Sequence, residues 1–463
     1  KYFLVLILVS LMATKVVIYG LSTEGYSLAC QIALNGGDVQ IIDESTPSAI
    51  SIKQDIAKSY PSVQALKDDE PLLAMTSIDA AISKAQVLIF SPRIRKTGQD
   101  IKIEINSKFK DAVSNIKKGC NIIYGLGTGF GGNSENMSLL EHVTGLKVGK
   151  NVSYFYYPLS KDTTSKPYIG SSDGKENEIL KKLLVNDNNL NFLTLSSSEY
   201  FHAIDILKQF SSQTSILEVC KFAKDSDTKN DLGSEKLGQI FLDDMINGLF
   251  DLRSLSSSFE GASSLTYLIN GSIKGIDGYI KRLIDETRLI LKKNELKASR
   301  TKILLLWTLD QHEMKGEKIE KLQELENKLK DYIGDVESVN QPIDIFQNDK
   351  TTIVVICSKY DFDYMMKNNK DNELLEYIKE LHNADIADLL HNLEAKNRLD
   401  FVNKIRINFD PEILTYLNDS LRDEIIEVLD IKQLASNAKT LDVDDAVDLV
   451  EDFQKSDQTT FLE

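Results

Sequence analysis

The 463-residue sequence predicts an α/β protein with two parallel-sheet domains, a helical domain between them and an all-α domain at the carboxyl end. Short β-branched runs alternate with amphipathic stretches near the start of the chain and again between Lys302 and Cys357, which is the pattern of βαβ units. The segment between these regions has mainly helical periodicity. The final segment, from residue 371 onward, has no strand pattern and repeats internally.

The first α/β region extends from Lys15 to about Pro158. Helices of about ten residues that connect successive strands leave those strands parallel, so this region predicts a parallel sheet. The predicted strands are Lys15–Tyr19, Val39–Asp43, Gln86–Pro92, Asn121–Leu126 and Ser153–Tyr157, and the predicted helices are Gly25–Leu34, Ile78–Lys84 and Lys108–Lys118.

A central helical region and a second α/β region follow. The central helices are predicted at Tyr200–Lys224 and Gly271–Lys293, with a serine-rich break at Ser254–Ser258 between them. The polar segment Lys359–Asp371 is predicted to be a linker. The second α/β region consists of a strand at Lys302–Trp307, a charged helix at Lys315–Tyr332 and a strand at Thr351–Cys357.

The carboxyl-terminal region repeats at a spacing of 24 residues. A separate similarity relates Asp385–Leu390 to Asp445–Val450. Short helices that recur in this way bury their apolar faces by stacking, which predicts an α-solenoid. The residues Leu393, Arg398, Phe401, Val402 and Ile405 recur as Leu417, Arg422, Ile425, Ile426 and Leu429.

Negative charge is concentrated in this last region. The chain has 54 basic and 70 acidic residues, a net charge of −16, and residues 371–463 contain 23 acidic and 9 basic residues. An acidic domain of this kind argues against nucleic acid as a partner. It favours cations or the basic surface of another protein.

Two features of the sequence concern the cellular compartment of the protein: the spacing of the cysteines and the apolar run among the first residues. Cys30, Cys120, Cys220 and Cys357 are far apart and form no CxxC pair, which favours free thiols in a reducing cytoplasm. Residues 1–12 include an apolar run that is too short to span a bilayer, and we predict that they are an upstream or leader segment. No later stretch of the sequence is long and apolar enough to predict a membrane span.

A glycine turn follows the first predicted strand. It reads Gly20-Leu-Ser-Thr-Glu-Gly25, where a dinucleotide-binding turn reads GxGxxG. Ser22 replaces the glycine that lets the backbone approach a pyrophosphate, and Glu24 brings negative charge to the first helical turn. Asp43 ends the second strand, where a ribose-binding acid is expected. The turn predicts a Rossmann-like sheet with Gly20, Ser22, Gly25 and Asp43 as candidate NAD-binding residues, or else a sheet of this type retained for packing.

Several further segments occur in the order and spacing of a known family. They are Met75–Ala81, Ala85–Pro92, Gly145–Gly149, Tyr156–Pro158, Ser198–Glu199 and Lys302–Trp307. Residues from about 13 to 370 thereby resemble the UDP-glucose/GDP-mannose dehydrogenases, which oxidise nucleotide sugars with NAD. The resemblance implies a Rossmann-like NAD-binding-type domain at 13–197, a central helical domain at 198–298 that forms a homodimer, and a Rossmann-like nucleotide-sugar-binding-type domain at 299–370.

The family's reacting residues are not retained. Its nucleophilic cysteine falls on Ser263, and no cysteine lies between Lys221 and Ile356. A serine without an adjacent base is a poor nucleophile, although His202 could activate it or polarise a carbonyl. The remaining positions fall on Leu159 and Ser160 (glutamate and arginine), His202 and Ile206 (lysine and asparagine), and Thr266 and Tyr267 (lysine and aspartate).

The third-domain signature is also incomplete, since Trp307–Met314 stands in its place without the arginine. We therefore predict a pseudoenzyme with a binding or regulatory role and a possible nucleotide or nucleotide-sugar ligand. A packed or solvated histidine is the ordinary interpretation of His202. The alternative is a working NAD-dependent oxidoreductase acting on a CH–OH group with altered chemistry.

The acidic region resembles a second family. Segments Asn383–Leu390, Leu393–Arg398, Leu421–Glu424 and Leu441–Leu449 are similar to the cytosolic N domain of MgtE magnesium transporters over residues 373–463. The resemblance implies a magnesium-responsive module that acts on a protein partner; a solvated acidic face is the alternative. Clustered carboxylates suit weak magnesium binding. The candidate ligands are Asp442, Asp444, Asp445 and Asp448, with Asp385 and Asp388.

Overall fold

The computed structural model describes residues 13–46, 48–69, 71, 73–160, 168–184, 190–220, 241–258, 264–341, 352–367, 381–406, 409–426 and 428–429. The chain forms two compact units that are interleaved along the sequence. The first unit takes residues up to 209 together with 247–273 and 309–321. The second takes 210–246, 274–308 and 322–463.

A nine-stranded sheet organises the first unit, in the order β4-β3-β2-β1-β5-β6-β7-β8-β9. The strands β2, β1, β5, β6 and β7 are mutually parallel, as are β8 and β9, whereas β3, β4 and the β7–β8 pair are antiparallel. The strands are β1 Lys15–Tyr19, β2 Asp38–Asp43, β3 Ser48–Ile52, β4 Met75–Ser77, β5 Val87–Phe90, β6 Asn121–Tyr124, β7 Ser153–Tyr156, β8 Tyr168–Ser171 and β9 Asn191–Thr194.

Helices cover this sheet and enclose an apolar core. The central strands read as continuous β-branched and aromatic runs because both of their faces are buried. Phe250 and Met314, from later parts of the chain, belong to the same core. The helices of the first unit are α1 Thr23–Leu34, α2 Gln54–Ser59, α3 Val63–Asp69, α4 Ile78–Ile82, α5 Asp100–Val113, α6 Gly132–Thr144, α7 Glu178–Leu184 and α10 Leu249–Ser256. Two helices, α8 Leu195–Cys220 and α11 Ser264–Lys293, have residues in both units, and α9 Leu242–Ile246 belongs to the second unit.

All five predicted strands of this region are confirmed, and their parallel pairing is confirmed as well. The helix predicted at Lys108–Lys118 instead occupies Asp100–Val113, because Phe109, Ala112 and Val113 are the residues that reach the core. The serine-rich break is partly wrong, since α10 continues to Ser256. The strands β3, β4, β8 and β9 were not predicted; β4, for example, is only three residues long, and all three residues are exposed.

The second unit contains a smaller parallel sheet in the order β11-β10-β12. Its strands are β10 Lys302–Leu306, β11 Val336–Val339 and β12 Thr352–Ile356, and the crossover helix is α12 Glu317–Ile333. The predicted linker Lys359–Asp371 is wrong in its first part, because α13 occupies Lys359–Lys367 and buries Phe362 in the core that follows.

The acidic region begins with four short helices around one apolar core. The Arg398 guanidinium donates to the carbonyl of Leu390 at 3.0 Å, and the Arg422 guanidinium donates to the carbonyl of Leu414, also at 3.0 Å. Both contacts join residues eight positions apart, so the 24-residue repeat places equivalent arginines on equivalent helix ends. Residues 430–463 lie outside the described residues, and the solenoid over the whole region stays a prediction. The helices are α14 Asn383–Asn392, α15 Ala395–Ile405, α16 Glu412–Thr415 and α17 Asp419–Ile426.

Candidate functional site

The glycine turn lies at the carboxyl edge of the main sheet, between β1 and α1. Gly20 has a φ of +111°, and a Cβ atom there would lie 2.4 Å from the Ser91 carbonyl oxygen, so this position requires glycine. Ser22 is the N-cap of α1: its hydroxyl accepts from the Gly25 amide at 3.0 Å and donates to the Ser91 carbonyl at 2.9 Å. The structure therefore places Gly20, Ser22 and Gly25 in one turn, and their binding of NAD stays a prediction.

The first amides of α1 already have partners within the first unit. The Thr23 amide donates to the His312 carbonyl at 2.8 Å, and the Thr23 hydroxyl donates to Asp310. A Glu24 carboxylate oxygen accepts from the Met314 amide at 2.9 Å. Residues 310–316, which we call the strap, thus lie across the helix terminus that would receive a pyrophosphate.

The strap is fastened to the end of β5 as well. The Ile94 amide donates to the Met314 carbonyl at 2.6 Å, and the Gly316 amide donates to the Ile94 carbonyl at 3.0 Å. The guanidinium of Arg95 donates to the carbonyls of Gln311 and Glu313, at 2.6 and 2.9 Å. These bonds include an isolated parallel β-bridge between Ile94 and Lys315, and the Met314 side chain of the strap is fully buried.

The strap leaves the Glu24 carboxylate buried, which is electrostatically unfavourable. Glu24 is only 7% exposed. Burial raises the pKa of the Glu24 carboxyl above its ordinary value, even though the Met314 amide hydrogen bond acts in the opposite direction. The charged form is therefore disfavoured at the position where a dinucleotide would place its own negative charge.

Asp43 lies at the end of β2, as predicted, but its carboxylate already has hydrogen-bond and ion-pair partners within the chain. One of its oxygens accepts from the amide and hydroxyl of Ser45, at 2.9 and 2.6 Å, and from Arg93 at 3.3 Å. Lys67 approaches the other oxygen at 3.9 Å. Burial acts to raise the pKa of Asp43, but the Ser45 hydrogen bonds and the two cations outweigh it and hold the pKa below its ordinary value.

A second glycine-rich loop, absent from the sequence-based prediction, joins β6 to α6. It contains Gly125, Gly127, Gly129, Gly131 and Gly132, and this alternation of glycines is the signal that could have revealed it. A Cβ atom at Gly127 would lie 1.9 Å from an oxygen of Asp251, and one at Gly129 would lie 2.5 Å from the Ser254 carbonyl. The glycines therefore allow α10 to pack directly on the loop.

The N-terminus of α6 holds a resident carboxylate from α8. Glu199, 7% exposed, accepts from the amides of Gly131 and Asn133 at 3.0 and 3.2 Å, and from the Asn133 side chain at 2.8 Å. The Tyr154 hydroxyl in turn donates to the Asn133 side chain at 2.9 Å. The anion-binding capacity of this helix terminus is thus used internally.

His202, a predicted candidate for catalysis, lies on α8 and is 5% exposed. Its ring contacts Tyr156 edge-on, and Nε2 lies 4.0 Å from an oxygen of Asp251. The same oxygen accepts from Lys315 at 2.6 Å, so the ammonium of Lys315 is within about 7 Å of the His202 ring. Sequence reasoning missed Asp251 and Lys315, because they are distant from His202 in the chain.

A second ion pair extends this cluster. Arg253 and Glu317 are 3.1 Å apart, and the Glu317 side chain is 8% exposed. Burial raises the pKa of Glu317 to about 7, against the attraction of Arg253 and Lys315. Burial is the dominant cause because the carboxylate has little access to water. Ser263, the other predicted catalytic residue, lies outside the described residues.

The carboxyl edge of the smaller sheet is filled in a similar way. Asp361, fully buried at the start of α13, accepts from the Thr308 amide at 2.9 Å and from the hydroxyls of Thr308 and Ser358. Trp307 is also fully buried, and its indole donates to Asp243 at 2.9 Å. Within the described part of the second unit, this edge carries internal hydrogen bonds at the places where a nucleotide would need free donors.

The metal prediction rests largely on undescribed residues. Asp442, Asp444, Asp445 and Asp448 lie outside the described residues. Asp385 and Asp388 are on α14, where burial and the neighbouring charge of Asp388 raise the pKa of Asp385. The described residues contain no group of three or more histidine, cysteine, aspartate or glutamate side chains arranged to hold a metal ion.

Two solved structures to which this chain is similar are dehydrogenases of nucleotide sugars. The chain matches the UDP-D-ManNAc dehydrogenase of Pyrococcus horikoshii at 13% identity and a TM-score of 0.52, over 78% of this chain and 92% of that one. It matches a UDP-glucose dehydrogenase of Pyrobaculum islandicum at 13% identity and a TM-score of 0.51, over 74% and 90% of the two chains. At this identity the likeness concerns the fold, and it confirms the predicted resemblance at that level.

The acidic region matches the family of the MgtE intracellular N domain over residues 381–463, which confirms the second resemblance. No curated protein matches the sequence. Among the described helices, none combines the length and the apolar character needed to cross a bilayer.

Proposed function

We propose that this chain is a catalytically inactive relative of the nucleotide-sugar dehydrogenases, with a binding or regulatory role coupled to its acidic carboxyl-terminal module. The observation that carries the proposal is the strap on α1. A dinucleotide would have to displace the His312 carbonyl from the Thr23 amide and then place its pyrophosphate beside Glu24. Each displaced hydrogen bond is worth about 1 kcal/mol, and the like charge adds a further penalty.

The residues at the family's reacting positions support the same conclusion. Leu159 stands where the resemblance assigns a glutamate; it is 2% exposed and contacts Gly125. A hydrocarbon cannot transfer a proton or orient water, so the acid–base step has no group at this position. Ile206 likewise replaces the asparagine and cannot donate a hydrogen bond to an oxyanion, and Ser160 replaces the arginine without its charge.

A second candidate function is a dehydrogenase with altered chemistry. The arrangement that favours it is the cluster of His202, Asp251 and Lys315. Oxidation of an alcohol by hydride transfer requires a base for the hydroxyl proton and a cation near the developing alkoxide. His202 could serve as the base and Lys315 as the cation, without any cysteine.

Turnover separates the two candidates. Purified protein would be incubated with NAD and with UDP-glucose, UDP-N-acetylmannosamine or GDP-mannose, and NADH followed by absorbance. We expect no NADH above the blank. Formation of NADH that is lost in His202→Ala and Lys315→Met, but retained in the exposed control Glu135→Gln, would establish the second candidate and overturn the first.

The acidic module indicates what kind of role we propose. Its match to an intracellular domain of a magnesium-transporter family supports a partner-facing, cytoplasmic role in which the α/β body positions the module. The predicted homodimer remains part of this proposal. Light scattering of the purified chain would test it, and a monomer at micromolar concentration would remove it.

A further inference from the structure

The amino edge of the main sheet, opposite the strap, carries a group of exposed lysines. Because β2, β1, β5, β6 and β7 are parallel, the segments that lead into these strands all meet at this edge. Lysine occurs there at four of the five strands, and the fifth, β2, begins with Asp38. We call the five exposed lysines the basic edge; they are Lys15 at the start of β1, Lys84 before β5, Lys117 and Lys118 before β6, and Lys150 before β7.

Backbone hydrogen bonds hold these segments side by side. The Gln86 amide donates to the Lys15 carbonyl at 2.9 Å, and the Asn121 amide donates to the Gln86 carbonyl, also at 2.9 Å. The Gly119 amide donates to the Asn151 carbonyl at 2.7 Å, which joins the loops before β6 and β7. Neighbouring strands are about 4.8 Å apart, so the backbone of the basic edge extends over about 15 Å.

The lysines of the basic edge have no ion-pair partner among the described residues. By contrast Lys147, in the loop before β7, pairs with Glu141 at 2.7 Å. Charges about 10 Å apart still interact at moderate ionic strength, so five neighbouring ammonium groups repel one another and attract an anionic surface. This positive surface is local, because the whole chain has a net charge of −16.

The chain itself contains a region of the opposite charge. Residues 371–463 have 23 acidic and 9 basic residues, a net charge of −14. This negative charge repels a nucleic acid or an anionic membrane, so the acidic module of a second copy suits the basic edge better than either. Exposed carboxylates lie on α14, before α15 and on α17; they are Asp388, Glu394, Asp419 and Asp423.

We propose that the basic edge binds the acidic carboxyl-terminal module of a second copy of this chain. The contact joins two different surfaces, so two copies can close on each other reciprocally or further copies can add to the assembly. This inference goes beyond the proposed function, because it requires neither a closed dinucleotide edge nor the predicted homodimer of the central helical domain.

Light scattering of the full chain at 20 and at 300 mM sodium chloride tests the proposal. At 20 mM we expect the mean mass to rise with protein concentration, and the apparent Kd to weaken about tenfold at 300 mM because salt screens the contact. A homodimer held by apolar helix faces would persist at 300 mM, so the two modes of association are distinguishable. The same mass at both salt concentrations would overturn the proposal.

Charge reversal locates the contact. Lys117→Glu combined with Lys118→Glu should weaken association at 20 mM by about tenfold or more, and Lys117→Gln combined with Lys118→Gln by a smaller factor. The matched control is Lys96→Glu combined with Lys102→Glu, which changes the net charge equally at the opposite edge and should weaken association much less. Equal association of the edge and control variants would overturn the proposal. Association that nuclease treatment abolishes would also overturn it, because a nucleic acid would then occupy the basic edge.

Discussion

The two helix termini at the carboxyl edge of the main sheet make an instructive pair. Each holds a carboxylate of the chain itself: Glu24 at the start of α1 and Glu199 at the start of α6. Glu199 accepts three hydrogen bonds between 2.8 and 3.2 Å. Glu24 accepts one from the strap, and burial raises its pKa above the ordinary value.

The comparison shows that a buried carboxylate at a helix N-terminus can stabilise the folded state in one place and destabilise it in another. At α6 the carboxylate satisfies the Asn133 donors, which would otherwise be buried without partners, so its charge stabilises the fold. At α1 the amides are capped largely by the Ser22 hydroxyl and the His312 carbonyl, and the charge of Glu24 is poorly compensated. We therefore expect α6 to be a fixed structural site and α1 to be the edge that can open.

Removing Glu199 should have the largest effect. Glu199→Ala leaves the buried backbone N–H and side-chain amide of Asn133, and the partly exposed N–H of Gly131, without their acceptor, and we expect the free energy of unfolding to fall by about 3 kcal/mol. Glu199→Gln keeps one acceptor and should cost about half as much. Urea denaturation followed by circular dichroism measures both, with Glu135→Gln as the exposed control. A loss under about 1 kcal/mol for Glu199→Ala would remove the distinction between the two termini.

Glu24→Gln should have a much smaller effect on stability. The variant retains an acceptor for the Met314 amide and removes a poorly compensated charge. We therefore expect its free energy of unfolding to fall by no more than about 1 kcal/mol at neutral pH, and to exceed that of the wild type above neutral pH. Because the folded-state pKa of Glu24 is raised, its contribution favours folding most below pH 4.5 and declines as the pH rises. Denaturation of wild type and variant from pH 4 to 8 would reveal a steeper decline in the wild type. Parallel curves would contradict this account of Glu24.

The sequence predicted the strands and the glycine turn at the carboxyl edge of the main sheet, but not the strap that lies across the start of α1. The strand positions follow from β-branched runs that only a doubly buried sheet explains, and Gly20, Ser22, Gly25 and Asp43 all lie where the turn predicts. The strap could not be predicted in the same way. Its contacts join residues nearly 300 positions apart, and they use backbone groups such as the His312 carbonyl, which carry no sequence signal.

The glycine loop before α6 is a different kind of omission. Its alternating glycines are visible in the sequence, but their role depends on Asp251 and Ser254, which approach within a distance that only glycine allows. The ion pairs that Lys315 and Glu317 form with α10 were missed for a related reason. Lys315 and Glu317 were assigned to a charged helix, where charged residues ordinarily face water, and their burial depends on a tertiary contact with α10.

Magnesium should have the smallest effect. If the acidic face is solvated, its carboxylates are screened and bind the ion weakly, so we expect millimolar magnesium to move the Tm by no more than about 1 °C. The fluorescence of Trp307, the only tryptophan of the chain, reports unfolding of the second unit. A larger rise that Asp445→Asn and Asp448→Asn abolish would establish a magnesium site in the acidic module.

Calorimetric titration of NAD into the full chain at pH 6 tests the central claim most directly. We expect no saturable heat at millimolar NAD, because the Thr23 amide is bonded to the strap and Glu24 lies where the pyrophosphate would sit. As a control, the same titration with an active nucleotide-sugar dehydrogenase should saturate. Saturable binding of NAD to the wild-type chain at micromolar concentration would contradict the claim that the chain has closed its own dinucleotide edge.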